Sequence, residues 1–140
     1  MLSDKYRYVA MDFETTWLDV SKDEAIQIWI VEIDVNWNVV NQYKSFLKPE
    51  KPVSELKNLV AYITWISVDD IQSAPSIFDV KDEILKFFWE NTILIWHNIE
   101  FDINFLKKYF PDVKYFDSID TFWLLFSIMF LLRSRSEERF

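Results

Sequence analysis

No glycine and no cysteine occur anywhere in the 140 residues. Without cysteine, disulfides, thiolate zinc sites and cysteine nucleophiles are excluded, and a reducing cytoplasm is the expected compartment. No basic segment precedes an apolar stretch at the N-terminus, so no signal peptide is expected. The longest apolar run, 122–132, is interrupted by Ser127 and is too short to span a bilayer, so no membrane association is expected. Basic residues are outnumbered, 15 Lys and Arg against 23 Asp and Glu, for a net charge of -8. Such a chain gains little from non-specific phosphate contacts, which need Lys and Arg. If it handles nucleic acid, divalent cations must bridge the two anions locally. Hydrophobic content of 51% and charged content of 27% are those of a globular chain, and its length suits one domain with a real core.

The missing glycine is the abnormal number. At an average usage near 7%, about ten are expected in a chain of this length. Tryptophan, by contrast, occurs 7 times. Trp37 lies in Asn36-Trp37-Asn38 between two strand-like runs, where Asn-Gly would make a hairpin. Trp17 follows Thr15-Thr16 at a strand exit. Trp89 ends an amphipathic segment, where a glycine commonly terminates the helix. These are places that call for a left-handed backbone, cheap only for glycine. We therefore read the tryptophans as standing where an ancestral chain had glycine, through a codon read as Gly in one genetic code and as Trp in another. Two other readings exist. The indoles could stack on bases, although turns do not select bulky rings. They could be ordinary core, which suits Trp29 and Trp96 on strands but not the rest.

What the sequence does contain is organised around Tyr8-Val9-Ala10-Met11-Asp12-Phe13-Glu14-Thr15-Thr16. This reads as a β-strand ending in two carboxylates. Alternation puts Asp12 and Glu14 on one side and turns Phe13 to the other. Adjacent anions repel, and a cation between them would relieve that. Oxygen ligands on a rigid strand suit Mg²⁺ or Mn²⁺. The alternative is a strand that ends in a solvated acidic turn.

Around this strand the pattern predicts an α/β domain with a mixed sheet. The first strand covers 6–12 and is followed by a polar loop at 17–23. A long strand over 24–34 and another over 39–47, joined by the turn at 36–38, make an antiparallel meander. Pro52 opens a helix over 53–62, and a short helix follows near 68–72. Apolar residues at 77, 80, 84, 85, 87 and 88 share one side of a third helical segment. Residues 92–96 form a continuous apolar run of the kind found in central parallel strands. A helix over 99–109 ends at Phe110-Pro111. An edge strand is expected at 115–119 and a largely buried helix at 121–132.

His97-Asn98-Ile99-Glu100-Phe101-Asp102 falls where the central strand ends and a helix begins. In open α/β sheets ligands bind at that carboxyl edge. Asp102 lies in the first helical turn, near the positive end of the helix dipole. It is placed to complete a site begun by Asp12 and Glu14. Alternatively, Asp102 only supports the helix start, and His97 is a satisfied strand-end histidine.

Taken in order, Val9-Ala10-Met11-Asp12-Phe13-Glu14-Thr15-Thr16, Ile26-Gln27-Ile28-Trp29-Ile30-Val31, Ile95-Trp96-His97-Asn98-Ile99-Glu100-Phe101-Asp102 and Ile119-Asp120-Thr121 resemble the DnaQ-like, DEDD superfamily of exonucleases that work from the three-prime end. The likeness is close to the proofreading subunit of bacterial DNA polymerase III and covers nearly the whole chain. That family usually has glycine at the positions of Trp17, Trp29, Trp65 and Trp96. The resemblance implies a ribonuclease-H-like exonuclease fold with a mixed sheet flanked by helices. It also implies release of nucleotides from a free three-prime end with two Mg²⁺ or Mn²⁺ ions. Two cations about 4 Å apart would stabilise the attacking and leaving oxygens of an in-line displacement. By resemblance Asp12, Glu14 and Asp102 are the catalytic metal ligands, with Asp12 touching both ions. Thr15, Thr16 and Leu18 cradle the terminal nucleotide, His97 and Asn98 shape the pocket, and Asp120 is a support rather than a ligand. The implied partners are a single-stranded three-prime end, DNA before RNA, and a DNA polymerase subunit.

One motif of the family is missing. Its members carry a histidine, followed five residues later by an aspartate, in a C-terminal helix; the histidine is the general base and the aspartate a fourth ligand. Here the only histidine is His97. Arg135, near the place of that motif, cannot accept a proton at neutral pH. Glu137 and Glu138 read as a solvated charged end. Two functions follow as expectations for a single exonuclease domain, 1–140, cut short of that helix. One is an exonuclease weakened by the loss of its base, which typically costs 10²–10⁴-fold. The other is a catalytically silent module that binds a three-prime end or a polymerase.

Overall fold

The computed structural model describes residues 2–52 and 66–121. Five strands form one mixed sheet in the order β3-β2-β1-β4-β5. They are β1 Arg7–Thr15, β2 Ala25–Ile33, β3 Val39–Phe46, β4 Thr92–Trp96 and β5 Asp117–Asp120. β1, β2 and β3 pair antiparallel as a meander, while β4 runs parallel to both β1 and β5. Parallel neighbours need a long return path. Between β3 and β4 the chain includes α1 Val68–Gln72 and α2 Lys81–Leu85; between β4 and β5 it forms α3 Ile99–Tyr109.

The strand patterns explain this layout. On β1 the side chains of Val9, Met11 and Phe13 are buried, while Ala10, Asp12 and Glu14 alternate with them and are partly exposed. On β2, Ile28 and Ile30 enter the same core. β3 is mostly exposed and carries Asn41, Gln42 and Lys44, the polar surface that keeps a sheet edge from pairing with another chain. α3 lays Ile99, Ile103 and Leu106 against the sheet at helical spacing. Phe105 meets Phe13 of β1, ring centroids 6.4 Å apart. Burying such residues contributes roughly 1.5–3 kcal/mol each. This packing fixes the start of α3 against β1, and so sets where the first-turn carboxylate lies.

Most expected elements are present with small shifts at their ends. The third helical segment is shorter than its apolar spacing suggests: only Lys81–Leu85 is α-helical. Upstream, Ser76 and Asp79 cap each other, with the Asp79 N–H bonded to Ser76 Oγ and the Ser76 N–H to Asp79 Oδ2. That closed turn competes with a helical start. Downstream, Phe87 and Phe88 donate to Ile84 and Leu85 three residues back, a tightening common at helix ends. The helices expected at 53–62 and 121–132, Trp65, Trp123 and the C-terminal tail lie outside the described residues.

The tryptophan reading divides. Trp37 has φ 67° and is, with Asn98 at φ 57°, one of two non-glycine residues with positive φ among those described. Trp17 and Trp89 are not left-handed, so the backbone argument holds at 37 and fails at 17 and 89. Trp89 closes its turn differently: its N–H reaches Thr92 Oγ1 and its indole N–H the Lys86 carbonyl. Trp29 is not core, because it is 44% exposed on β2 with the Lys44 ammonium 5.6 Å above its ring.

Candidate active site

The carboxyl ends of β1 and β4 and the first turn of α3 meet at one rim. β4 ends at Trp96, and Asn98 takes a left-handed conformation, φ 57°, ψ 40°, as the residue that starts α3. Asparagine tolerates this state better than most side chains. The Asn98 N–H is accepted by Asp120 Oδ1 at 3.0 Å. Turned in this way, α3 brings Asp102 against β1. Asp102 is 3% exposed, and its Oδ1 accepts the backbone N–H of Phe13 at 2.7 Å. One hydrogen bond thus joins residues 89 positions apart, and it reaches β1 between Asp12 and Glu14.

The electrostatics follow from that contact. Burial, with the negative charge of Asp12 added, raises the Glu14 carboxyl above its ordinary range. Burial raises Asp102 to about 7; the Phe13 N–H pulls the other way, and the charges of Asp12 and Glu14 push further up. The three carboxyls therefore lie within one another's field. None of the ion pairs found among the described residues involves them. Groups displaced by burial plus like charge in this way are common at functional sites.

The donor set suits a hard divalent cation in kind, being carboxylate oxygens whose mutual repulsion a cation would relieve. It is not closed into a cage: among the described residues, no three His, Asp or Glu side chains converge as a ready ion site. Two of the oxygens are already engaged. Asp102 Oδ1 holds Phe13, and Asp12 Oδ1 accepts the indole N–H of Trp96 at 3.1 Å.

The other expected residues surround this rim unevenly. Thr16 is buried, and its hydroxyl serves the loop that follows β1: it donates to Asp23 Oδ1 at 2.9 Å and accepts the Glu24 N–H. Thr15 donates to the Trp17 carbonyl. Leu18 is 68% exposed, and His97 and Asn98 are exposed at the exit of β4. Two residues of consequence were not expected from the sequence. Glu24 is a buried carboxylate that accepts the N–H groups of Glu50 and Lys51 and ties the β3 exit to the start of β2. Trp96 reaches Asp12; its adjacency to His97 was the available signal, but the direction of the indole was not readable.

The fold is that of solved exonucleases. Exonuclease I of Methylocaldum szegediense superposes with a TM-score of 0.68 at 20% identity, covering 86% of this chain and 28% of that one. Exonuclease I of E. coli, in complex with a 5cy-dA13 oligonucleotide, gives 0.64 at 15% identity over 82% and 28%. Residues 9–138 match the Exonuclease family (RNase_T), and the chain belongs to that family. Enzymes of the family generally use divalent metal ions. Among its relatives, the PolC-type DNA polymerase III of Thermotoga petrophila is 35% identical over 126 residues, 87% of this chain and 9% of that protein. The 3'-5' exonuclease DinG of Staphylococcus saprophyticus is 29% identical over 126 residues, 85% and 13%. The chain thus spans about a tenth of the length of the relatives it matches. Among the described residues no helix is long and apolar enough to cross a membrane.

Proposed function

We propose that this domain is a metal-dependent exonuclease that removes nucleotides from the three-prime end of single-stranded nucleic acid, with DNA as its substrate. The observation that carries this reading is the Phe13 to Asp102 hydrogen bond. It draws a helix carboxylate to the strand that carries Asp12 and Glu14, in a rim where burial and mutual repulsion already raise two of the three carboxyls. Asp12, Glu14 and Asp102 would hold a pair of Mg²⁺ or Mn²⁺ ions. When bound, such ions polarise the phosphodiester and lower the pKa of water. The chain's own residues do the positioning. Asp102 pins the β1 backbone between the other two carboxylates, so their spacing is set by main chain rather than by flexible side chains. The loop led by Thr15, Thr16 and Leu18 would seat the terminal nucleotide. Asn98, fixed by Asp120, and His97 would border it from the β4 side.

The Thermotoga and Staphylococcus relatives are far longer than this chain, and docking beside a DNA polymerase subunit in the cytoplasm belongs to the same proposal. The test is a single-stranded DNA oligonucleotide labelled at its five-prime end and incubated with Mn²⁺. Stepwise shortening that releases mononucleotides, and that Asp12→Ala abolishes, supports the enzyme. A silent binding module is the second reading. It is favoured by the indole N–H of Trp96 on Asp12 Oδ1 at 3.1 Å, which engages an oxygen the metal site would use. Oligonucleotide binding without any shortening would select it.

A further inference from the structure

Trp96 borders two cavities. One, of about 280 Å³, is bordered by Met11, Asp12, Trp29 and Gln42. The other, of about 270 Å³, is bordered by Ile33, Trp37, Ile95 and His97. Ala10 and Trp96 line both, and Ala10 has almost no side chain, so the indole is the bulk that separates them. Each cavity alone falls just short of the roughly 300–1,000 Å³ usual for small-molecule sites. Joined, with the indole's own volume added, they come within that range. The same indole donates its N–H to Asp12 Oδ1 at 3.1 Å, one of the two oxygens with which Asp12 would hold a hard cation. Each carboxylate oxygen offers two lone-pair directions, and the indole N–H holds one of those on Oδ1, so it competes with a cation for that oxygen.

We propose that position 96 is the gate of this site: tryptophan there caps Asp12 and divides the groove, while a residue with no side chain frees the carboxylate for a divalent cation and opens one nucleotide-sized channel. The inference rests on the reading in the preceding subsection. It agrees with a chain that has 7 tryptophans and no glycine, one of those tryptophans standing at φ 67°. Position 96 is a specificity- and positioning-determining residue that acts through Asp12.

The test is Mn²⁺ binding, read by the spin-resonance signal of the free ion, together with uptake of thymidine monophosphate in the presence of Mn²⁺. Trp96→Gly should bind Mn²⁺ about 10–100-fold more tightly than the chain with Trp96, the size of the competition from one hydrogen bond to a charged group. It should also take up the nucleotide more tightly than the Trp96 chain. Trp96→Phe removes the N–H and keeps most of the bulk, so it should recover part of the Mn²⁺ affinity and leave nucleotide uptake at the level of the Trp96 chain. If Trp96→Gly lacks a cooperative thermal transition, Trp96→Ala carries the same expectation. Adding Asp12→Ala to the Trp96→Gly variant should erase the gain. Equal Mn²⁺ affinity in the unaltered chain and in Trp96→Gly, or a gain that survives Asp12→Ala, overturns the gate. Equal, tight binding in both proteins does so while leaving the exonuclease reading intact; absence of binding in every variant overturns both.

Discussion

Two turns of this molecule each hold a residue at positive φ, with very different side chains. The β2–β3 turn puts Trp37 at φ 67°, and the β4–α3 turn puts Asn98 at φ 57°. Each is tied by an aspartate. Asp34 Oδ1 accepts the N–H groups of Asn36 and Asn38, and Asp120 Oδ1 accepts that of Asn98. At the second turn the residue suits the conformation, because a short amide side chain is among the few that visit it routinely. At the first it does not, and the indole is left 66% exposed with nothing gained from burial to offset the strain. The geometry of both turns is therefore dictated by the sheet and by their aspartates, while the residue at the apex need not agree with it. Only one of the turns delivers anything: it is Asn98 that starts the helix carrying Asp102.

The strongest response is expected at what that turn delivers. In the folded chain Asp102 titrates at about 7, against an ordinary 3.8, so the folded state holds its proton more tightly than the unfolded state. Its contribution to stability is complete below the unfolded value and is lost as pH rises through about 7. The metal-free protein, kept in chelator, should therefore melt at a lower temperature near pH 8 than near pH 5. Asp102→Asn, which keeps an acceptor for the Phe13 N–H, should flatten that slope. A variant with the wild-type slope would assign the pH dependence elsewhere.

Next in size is the contrast between the apex residues. Trp37→Gly should raise stability by about 1–2 kcal/mol, the cost of a left-handed conformation for a residue with a Cβ. Asn98→Gly should change it by only a few tenths, and Asn98→Val should lower it by about as much as Trp37→Gly raises it. Urea midpoints at constant m-value would measure all three. If Trp37→Gly left the midpoint unmoved, the strain at that apex would be absent and the glycine argument would lose its best position.

The finest distinction separates the anchoring aspartates. Asp34→Ala should lower the urea midpoint slightly and leave Mn²⁺ binding unchanged, because the Asp34 carboxylate bonds Asn36 and Asn38 of its own exposed turn and none of the elements that carry the three carboxylates. Asp120→Ala should lower the midpoint by a similar amount but also weaken Mn²⁺ binding in the Trp96→Gly background, by loosening the start of α3. Equal effects of the two on ion binding would show that the β4–α3 turn does not position Asp102. A mass measurement of the protein made in its own host bears on both turns: a mass lower by one indole side chain at each tryptophan position identifies glycine there.

Much of the fold was legible because its signals are local. Alternation on β1, the apolar run of β4 and the helical spacing of Ile99, Ile103 and Leu106 each specify one element by its own period. The short α2 was not legible, because the Ser76–Asp79 turn competes with the helix through side-chain bonds that a hydrophobic pattern does not register. At the rim, Asp12, Glu14 and Asp102 could be named as a group from order and resemblance. The bond from the Phe13 N–H to Asp102, the capture of the Thr16 hydroxyl by its own loop and the reach of Trp96 to Asp12 could not. Each depends on where another element packs.

Residue types and their periodicity set the chemistry on offer: oxygen donors and no thiols, one imidazole, an acidic surface, and a strand–turn–helix order that sends its carboxylates toward one edge. Those properties survive without a third dimension. How available the donors are was a matter for the packed molecule alone. Burying a carboxyl and facing it with two others raises it to about 7, and an indole swung across the rim takes an oxygen of Asp12. Desolvation and side-chain reach are properties of packed neighbours, and here those neighbours lie 89 and 84 residues apart in the chain.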